Sequence, residues 1–286
     1  MRLARTTLRH PEEQAMPASA PTWDPAQYLR HSGHRERPLA ELLDRVHPLP
    51  AARPRIADLG CGPGNSTVLL AGRWPAAHLT GYDNSAEMLA GAAAHAGPTP
   101  EGGLVDFAHA DLRRWEPERT YDLIASNAAL QWVEGHLDAI PGWLDALAPG
   151  GTLAFQVPHT IDAPLHVLMR ALADSDRWRG RLGGVLRTAD SVHAPAVYLD
   201  RLARLGCETD VWESTYLHLL QGEDPVLDWV KGTGLRPVLT ALADDPEAAD
   251  AFVGEYRARL REAYPAQPYG TVLPFRRLFV VARKPR

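Results

Sequence analysis

The residues with the clearest chemical content lie in Arg55-Ile56-Ala57-Asp58-Leu59-Gly60-Cys61-Gly62-Pro63-Gly64-Asn65-Ser66-Thr67. Ile56, Ala57 and Leu59 read as a short buried strand, three glycines at alternate positions break it, and Asn65 opens a helix. A glycine lets the chain turn sharply, lets a ligand approach bare backbone, or lets helix and strand pack closely. The helix start offers unpaired N–H groups and a positive dipole end, which suit a small anion such as a carboxylate. Asp58, two places before the first glycine, suits the opposite charge and can take an ammonium group directly or through water. Cys61 sits inside this corner as a small packing residue that can touch the ligand, not as a nucleophile. A glycine corner by itself is also an ordinary strand–turn–helix joint, so its meaning depends on the residues at the later strand ends.

Four later features fit one ligand. Asp83, with Asn84 beside it, ends the second strand, where a carboxylate can accept both hydroxyls of a ribose. Asp111-Leu112 ends the third, where a carboxylate can accept from an adenine amino group. Asn127 ends the fourth, beside the ligand's reactive end, and Leu147-Ala148-Pro149-Gly150-Gly151-Thr152 turns into the fifth. The dinucleotide pattern G-x-G-x-x-G is incomplete, because Asn65 stands where its third glycine belongs. An amino acid joined to adenosine meets every demand at once. That molecule is S-adenosylmethionine, with S-adenosylhomocysteine as its product.

The elements that position these residues alternate. Arg37 to Val46 reads as a helix with Leu39, Leu42, Leu43 and Val46 on one face. Strands are expected at Ile56–Leu59, His78–Asp83, Val105–Asp111, Tyr121–Asn127 and Thr152–Val157, with helices at Thr67–Trp74, Ser85–Ala96 and Leu137–Leu147. Such alternation means an α/β fold, a mostly parallel sheet covered on both faces, with ligands at the carboxyl ends of its strands. After Val157 the rhythm changes to helices, a β-like run at Glu208–Leu220, more helix over Asp224–Tyr264 broken at Lys231-Gly232-Thr233-Gly234, and a last strand at Leu278–Ala282. The two late strands can pair antiparallel, with the helices around them capping the strand ends. The divisions are a disordered extension at 1–20, a cofactor-binding core with an N-terminal helical lid at 21–158, a helical cap at 159–275 that includes the strand near 208–220, and a final core strand at 276–286. Met16 is an alternative start to Met1.

Asp58 to Gly64, Asp83, Asp111 and Leu147 to Gly151 together resemble class I S-adenosylmethionine-dependent methyltransferases. That resemblance implies a Rossmann-like sheet of seven strands, the last antiparallel, with the cofactor across the switch point. From Trp23 to Lys284 the chain is further similar to the trans-aconitate 2-methyltransferase family. The carrying segments are Trp23-Asp24-Pro25 with Tyr28-Leu29, Ala57 to Thr67, Arg73 to Ala77, Asn127-Ala128 with Leu130-Gln131-Trp132, His166 to Arg170, Asp228 to Val230, Thr233 to Pro237 and Arg277 to Arg283. Arg276 departs from the family pattern, which has proline there. The implied reaction is methyl-ester formation on a small tricarboxylate.

A carboxylate acceptor is ionised at neutral pH and needs no general base, so positioning and electrostatics carry the catalysis. What it needs is cations that hold it while one oxygen stays free to attack. Arginine suits this, because its planar fork matches a carboxylate. Arg236 and one of Arg276 and Arg277 are the preferred anchors, since adjacent strand residues face opposite sides. Tyr28, Gln156, His159 and Tyr198 are candidates for further hydrogen bonds. Trp143 and Trp229 read as packing residues, and Trp132 stands nearer the site.

Composition narrows the alternatives. The 286 residues are 45% apolar and carry a net charge of −5, with no basic run in the body of the chain to meet nucleic acid. No apolar run is long enough to span a membrane. Two unrelated cysteines, Cys61 and Cys207, exclude a disulfide framework and suit the cytoplasm. Histidine spacing suggests no metal site. The expected partner is a small polycarboxylate, and the expected state is monomer or homodimer. The rivals are another acid or a hydroxyl as acceptor, the latter with His31, His34 or His159 as base, a nicotinamide-dependent oxidoreductase, and a non-catalytic cofactor-binding domain.

Overall fold

The computed structural model describes residues 32–117, 119–187 and 191–286, with side chains from 36 onward. The readings made for the N-terminal extension, for Trp23 to Leu29 including Tyr28, and for His31 and the side chain of His34 lie outside these residues. Helix α1 spans Ser32–Asp44. It stops short of the expected Val46 because Arg45 and Val46 donate to the Leu42 and Leu43 carbonyls, each at 3.1 Å, in a tighter last turn. Then come β1 (Arg55–Leu59), α2 (Asn65–Arg73), β2 (His78–Asp83), α3 (Ala86–Ala92), β3 (Gly97–Pro98), β4 (Leu104–His109) and β5 (Tyr121–Asn127). The next elements are α4 (His136–Asp145), β6 (Leu147–Pro158), α5 (Pro164–Ala173), α6 (Arg179–Leu182) and α7 (Pro195–Arg204). The chain ends with β7 (Glu208–Leu220), α8 (Pro225–Lys231), α9 (Arg236–Ala241), α10 (Pro246–Ala263) and β8 (Thr271–Arg283). Helices α5, α7, α8 and α10 each begin on proline, where its missing N–H costs no hydrogen bond.

Among the described residues the strands form one sheet in the order β3-β4-β2-β1-β5-β6-β8-β7. β4, β2, β1, β5 and β6 run parallel, while β8 is antiparallel to both β6 and β7. The expected seven strands become eight through β3, a two-residue antiparallel rung on β4. Gly97 and Pro98 have no apolar alternation to signal a strand, and proline is tolerated at a sheet edge. Two expected ends also move. β4 stops at His109, so Asp111 and Leu112 lie in the turn beyond it. β6 begins at Leu147, so Pro149-Gly150-Gly151 forms its irregular start, opposite a register shift between Tyr121 and Leu123.

Period-two alternation gives the sheet two apolar faces. Leu153, Phe155, Leu278 and Val280 pack against Trp143 and Leu144 of α4 and Tyr198 and Leu202 of α7. Ile56, Leu79, Ala154, Phe279 and Val281 pack against Leu39, Leu42 and Leu43 of α1 and Leu70 of α2. A third core belongs to the cap, where Met169, Trp229, Leu235, Phe252 and Tyr256 surround Leu220, Leu273 and Phe275.

The sheet itself carries that cap. β6 ends at Pro158, paired with Arg277, but β7 and β8 stay paired from Thr215↔Arg276 to Leu220↔Thr271. This ribbon projects past the carboxyl ends of the parallel strands, and the cap helices bury their apolar faces on it. β8 accordingly starts at Thr271, earlier than the final strand expected from 276. The cap is held where ligands of a parallel sheet bind.

Candidate functional site

The three glycines of the corner after β1 have positive φ of 74° at Gly60, 56° at Gly62 and 91° at Gly64, and their surroundings differ. A Cβ on Gly60 would lie 2.2 Å from the Ala129 Cβ, so this glycine lets the turn after β5 close on the corner. A Cβ on Gly64 would lie 2.9 Å from His95 Cδ2 and 3.3 Å from Phe107 Cζ, so it lets α2 pack down. A Cβ on Gly62 meets nothing within 4 Å. Bare backbone beside open space is what a ligand can approach. The Gly60 and Cys61 N–H groups both donate to the Tyr82 carbonyl, at 2.8 and 3.0 Å, tying the corner to β2. Cys61 is buried. Burial, with Asp58 and Asp83 nearby, pushes its thiol far up, which leaves it a packing residue. Asn65 is the first residue of α2, preceded by the left-handed Gly64 with no side-chain cap.

Asp58 is 1% exposed. Its Oδ2 accepts from Ser66 Oγ and Thr67 Oγ1, both at 2.7 Å, while its buried Oδ1 has no partner. Burial raises its pKa to about 6, against the two hydroxyls that lower it. A buried carboxylate oxygen with nothing to accept from is costly unless a ligand completes it. The open Gly62 backbone, the uncapped start of α2 and this oxygen fit the amino-acid end of S-adenosylmethionine.

Asp83 accepts from Gly62 N through Oδ2 and from Ser85 N through Oδ1, both at 2.9 Å. Both of its oxygens are thereby aligned at the end of β2. Asn84 is exposed beside it, its carbonyl 3.2 Å from His109 Nε2. Asp111 lies in the turn after β4, gripped by Arg113 at 2.6–3.1 Å, and that pairing holds its pKa down. Leu112 is buried, its Cδ1 3.7 Å from the place of a Gly60 Cβ. At the end of β5, Ala128 adopts φ 55°, a strained conformation for a residue with a Cβ. It aims Ala129 at Gly60.

The acceptor candidates separate clearly. Gln156 is fully buried and faces Asn127 across the β5–β6 pair. Its Nε2 donates to Asn127 Oδ1, and its Oε1 accepts from Arg277 Nη1 at 3.0 Å. Arg277, 2% exposed, lies on the inner side of β8. Arg276 lies on the other side, where it donates to both oxygens of Asp162 at 2.8 Å and to the His159 carbonyl at 2.9 Å. Because that fork is spent on Asp162, Arg276 is corrected from anchor to outer clamp. His159 Nδ1 meets Glu213 Oε1, a pairing that orients the ring and leaves Nε2 as its other polar atom. Tyr198 is corrected too. It is fully buried between α7 and the sheet, its hydroxyl 2.8 Å from His136 Nε2 and accepting from His193 N at 3.2 Å. Arg236 starts α9 but does not line the pocket that its neighbours Gly234 and Pro237 help to form.

That pocket joins Trp132, expected near the site, to His166, Arg170 and Arg187, for which the sequence suggested no role. Trp132, in the turn after β5, faces His166 and Arg170 of α5 and Arg187. Arg187 Cζ lies 4.3 Å from the Trp132 ring centroid, and its Nη1 donates to the Gln131 carbonyl at 3.3 Å. Arg170 Nη2 donates to the Ile161 carbonyl at 2.6 Å. The available signal was the four-residue spacing of His166 and Arg170, which puts them on one helix face. Arg187 carried no such signal. Among the described residues no group of His, Cys, Asp and Glu could hold a metal ion, and no helix is long and apolar enough to cross a membrane.

Residues 56–151 match the family described as a methyltransferase domain. Over 270 residues the chain is 67% identical to trans-aconitate 2-methyltransferase of Streptomyces coelicolor, covering 94% of this chain and 89% of that protein. It is 46% identical over 262 residues to a Mycobacterium tuberculosis protein of the same name, covering 91% and 96%. Among solved structures it is similar to YcgJ of Bacillus subtilis, with a TM-score of 0.54 at 13% identity over 88% of this chain and 99% of that one. It is also similar to phosphoethanolamine N-methyltransferase 2 of Haemonchus contortus in complex with S-adenosyl-L-methionine, with a TM-score of 0.51 at 17% identity over 87% and 53%. These two likenesses bear on the fold alone.

Proposed function

The chain belongs to the trans-aconitate 2-methyltransferase family, and from that premise we propose that it transfers a methyl group from S-adenosylmethionine to one carboxylate of trans-aconitate. The observation that supports the donor half is the buried, unpartnered Oδ1 of Asp58 beside the open Gly62 backbone. The acceptor half rests on the likeness to the family, which extends through the cap. When bound, the donor supplies a sulfonium methyl that a carboxylate oxygen takes in an in-line displacement, giving a methyl ester and S-adenosylhomocysteine.

The residues then have distinct tasks. Asp58 Oδ1 would take the ammonium group, while the amides from Asn65 onward at the start of α2 would take the carboxylate. Gly60, Gly62 and Gly64, with Cys61 packed between them, shape the cradle. Asp83 accepts the ribose hydroxyls with Asn84 beside it, and Leu112 with Asp111 borders the adenine.

At the reacting end, hydrogen-bond polarity fixes the amides. Arg277 only donates, so Gln156 turns its oxygen to Arg277 and its NH2 to Asn127 Oδ1, which leaves Asn127 Nδ2 as a donor. A neutral donor steadies the attacking carboxylate without cancelling the charge that makes it nucleophilic. Arg277 thus acts through Gln156 on Asn127, and no side chain need take a proton, because the acceptor arrives ionised.

The test is release of S-adenosylhomocysteine with and without acceptor. Release that requires trans-aconitate, and is lost when its trimethyl ester replaces it, supports the reading. Release indifferent to the acid overturns it.

A further inference from the structure

The cap pocket facing Trp132 is lined by two arginines, Arg170 and Arg187, that meet no acid among the described residues. Several cap arginines on the outside are paired with acids. Arg177 meets Glu255, Arg181 meets Asp244 and Asp245, and Arg261 meets Glu223 and Asp224. Arg170 and Arg187 differ. Among the described residues each has a backbone carbonyl and no carboxylate, although a guanidinium carries five donors. Arg187 Cζ further lies over the Trp132 ring, a contact that suits a cation.

Two cations turned into one pocket with no carboxylate among the described residues repel each other, a costly arrangement unless an anion completes it. Their electrostatics carry the strain. Burial first, and then Arg170, pull the Arg187 pKa down to about 10. Burial with both arginines brings His166 down to about 3, so its imidazole is neutral and can donate one hydrogen bond. Gly234 keeps the pocket open on the cap side, since a Cβ there would lie 2.9 Å from His166 Cε1. The cavity is about 10 Å³, about the space of one water. It has room for one carboxylate oxygen, not for a whole tricarboxylate.

We propose that Arg170 and Arg187, with His166 beside them, form the subsite that grips one non-reacting carboxylate of the acceptor. This inference rests on the proposed function, a carboxylate acceptor. It divides the acceptor between two environments. The reacting carboxylate keeps its charge near the neutral Asn127, while a distant carboxylate supplies the binding energy through two forks and is never the nucleophile. It also gives the cap a role in choosing substrate, since α5 and the segment bearing Arg187 exist only there.

The test is calorimetric binding of trans-aconitate to the S-adenosylhomocysteine complex, for the parent protein, Arg187→Gln, Arg170→Gln, the conservative Arg187→Lys, and the outer control Arg177→Gln. Unchanged binding of S-adenosylhomocysteine establishes that each variant is folded. The inner Gln variants are expected to bind trans-aconitate at least about tenfold more weakly, since each loses a charge-assisted pair. Arg187→Lys should fall between, and Arg177→Gln should match the parent. A dicarboxylate lacking the gripped group should bind the parent weakly and lose nothing further in Arg187→Gln. Inner variants that bind trans-aconitate like the parent overturn the subsite while leaving the acceptor reading intact. A parent protein that binds and methylates no trans-aconitate overturns the acceptor reading and the subsite with it.

Discussion

Ala129 places its Cβ where a side chain on Gly60 would have to be, 2.2 Å from the ideal Cβ position. The turn after β5 and the corner after β1 therefore close on each other only because residue 60 has no side chain. Gly60→Ala is expected to destabilise the protein by several kcal/mol, roughly the cost of forced overpacking plus a positive-φ alanine. Gly62→Ala has open space instead. It should lose only about 1 kcal/mol of stability yet bind S-adenosylhomocysteine far more weakly, because its methyl enters the cradle. Melting and calorimetric binding of the two variants check this. A Gly62→Ala protein that binds like the parent would show that no ligand approaches there.

Asp58 gives a pH dependence with a definite sign. Its folded pKa of about 6 lies above the ordinary value of 3.8, so the folded protein holds a proton that the unfolded chain has released between those values. The ligand-free protein should lose stability from this group as pH rises from 3.8 towards 6, and the penalty is then constant above. Binding of an ammonium runs the other way, because it needs the ionised form. Affinity for S-adenosylhomocysteine should level off near pH 7, while the ligand's amine is still protonated, and fall as pH drops through about 6, approaching about tenfold per unit. Asp58→Asn should bind weakly at every pH and lack the inflection. An inflection that survives in Asp58→Asn belongs to another group.

Asp83→Ala should weaken cofactor binding by about 1–3 kcal/mol, the cost of leaving two ribose hydroxyls without their acceptor. Because Asp83 also holds Gly62 N and Ser85 N, Asp83→Asn is the companion. Its amide keeps one acceptor, and it should lose less. Equal binding by all three proteins would remove the ribose assignment.

Neighbouring arginines on β8 should behave oppositely. Arg277→Met frees Gln156 to turn over and lets Asn127 present its oxygen, so acceptor kcat/KM should fall about tenfold or more with cofactor binding unchanged. Arg276→Ala loses Asp162 and the His159 carbonyl, contacts on the outer side, and should leave acceptor kinetics within about twofold. Equal effects would mean that both, or neither, reach the site.

The core was legible because its signals are local. The strand preceding Gly60, the glycine run and Asp83 at a strand end each depend on a few adjacent residues, and β1, β2 and β5 contain the stretches that the apolar patterning indicates. The cap was not, because its decisive facts are long-range. Arg276 and Arg277 are equivalent in sequence, and only the pairing of β8 with β6 and β7 makes one of them buried. Tyr198 reads as a polar residue near a site, yet α7 folds it under the sheet against His136. Arg187 has no local signature at all, and its meaning comes from Trp132, a residue of the core. The two-residue strand β3 exists only as a partner of β4.

The most direct measurement tracks the methyl group itself. With S-adenosylmethionine labelled at its methyl carbon and trans-aconitate as acceptor, NMR should show one new ester methyl appearing in step with S-adenosylhomocysteine, and mild alkali should release it as methanol. Label that stays on the donor, or moves into an alkali-resistant ether or amine, would contradict carboxyl methylation of trans-aconitate.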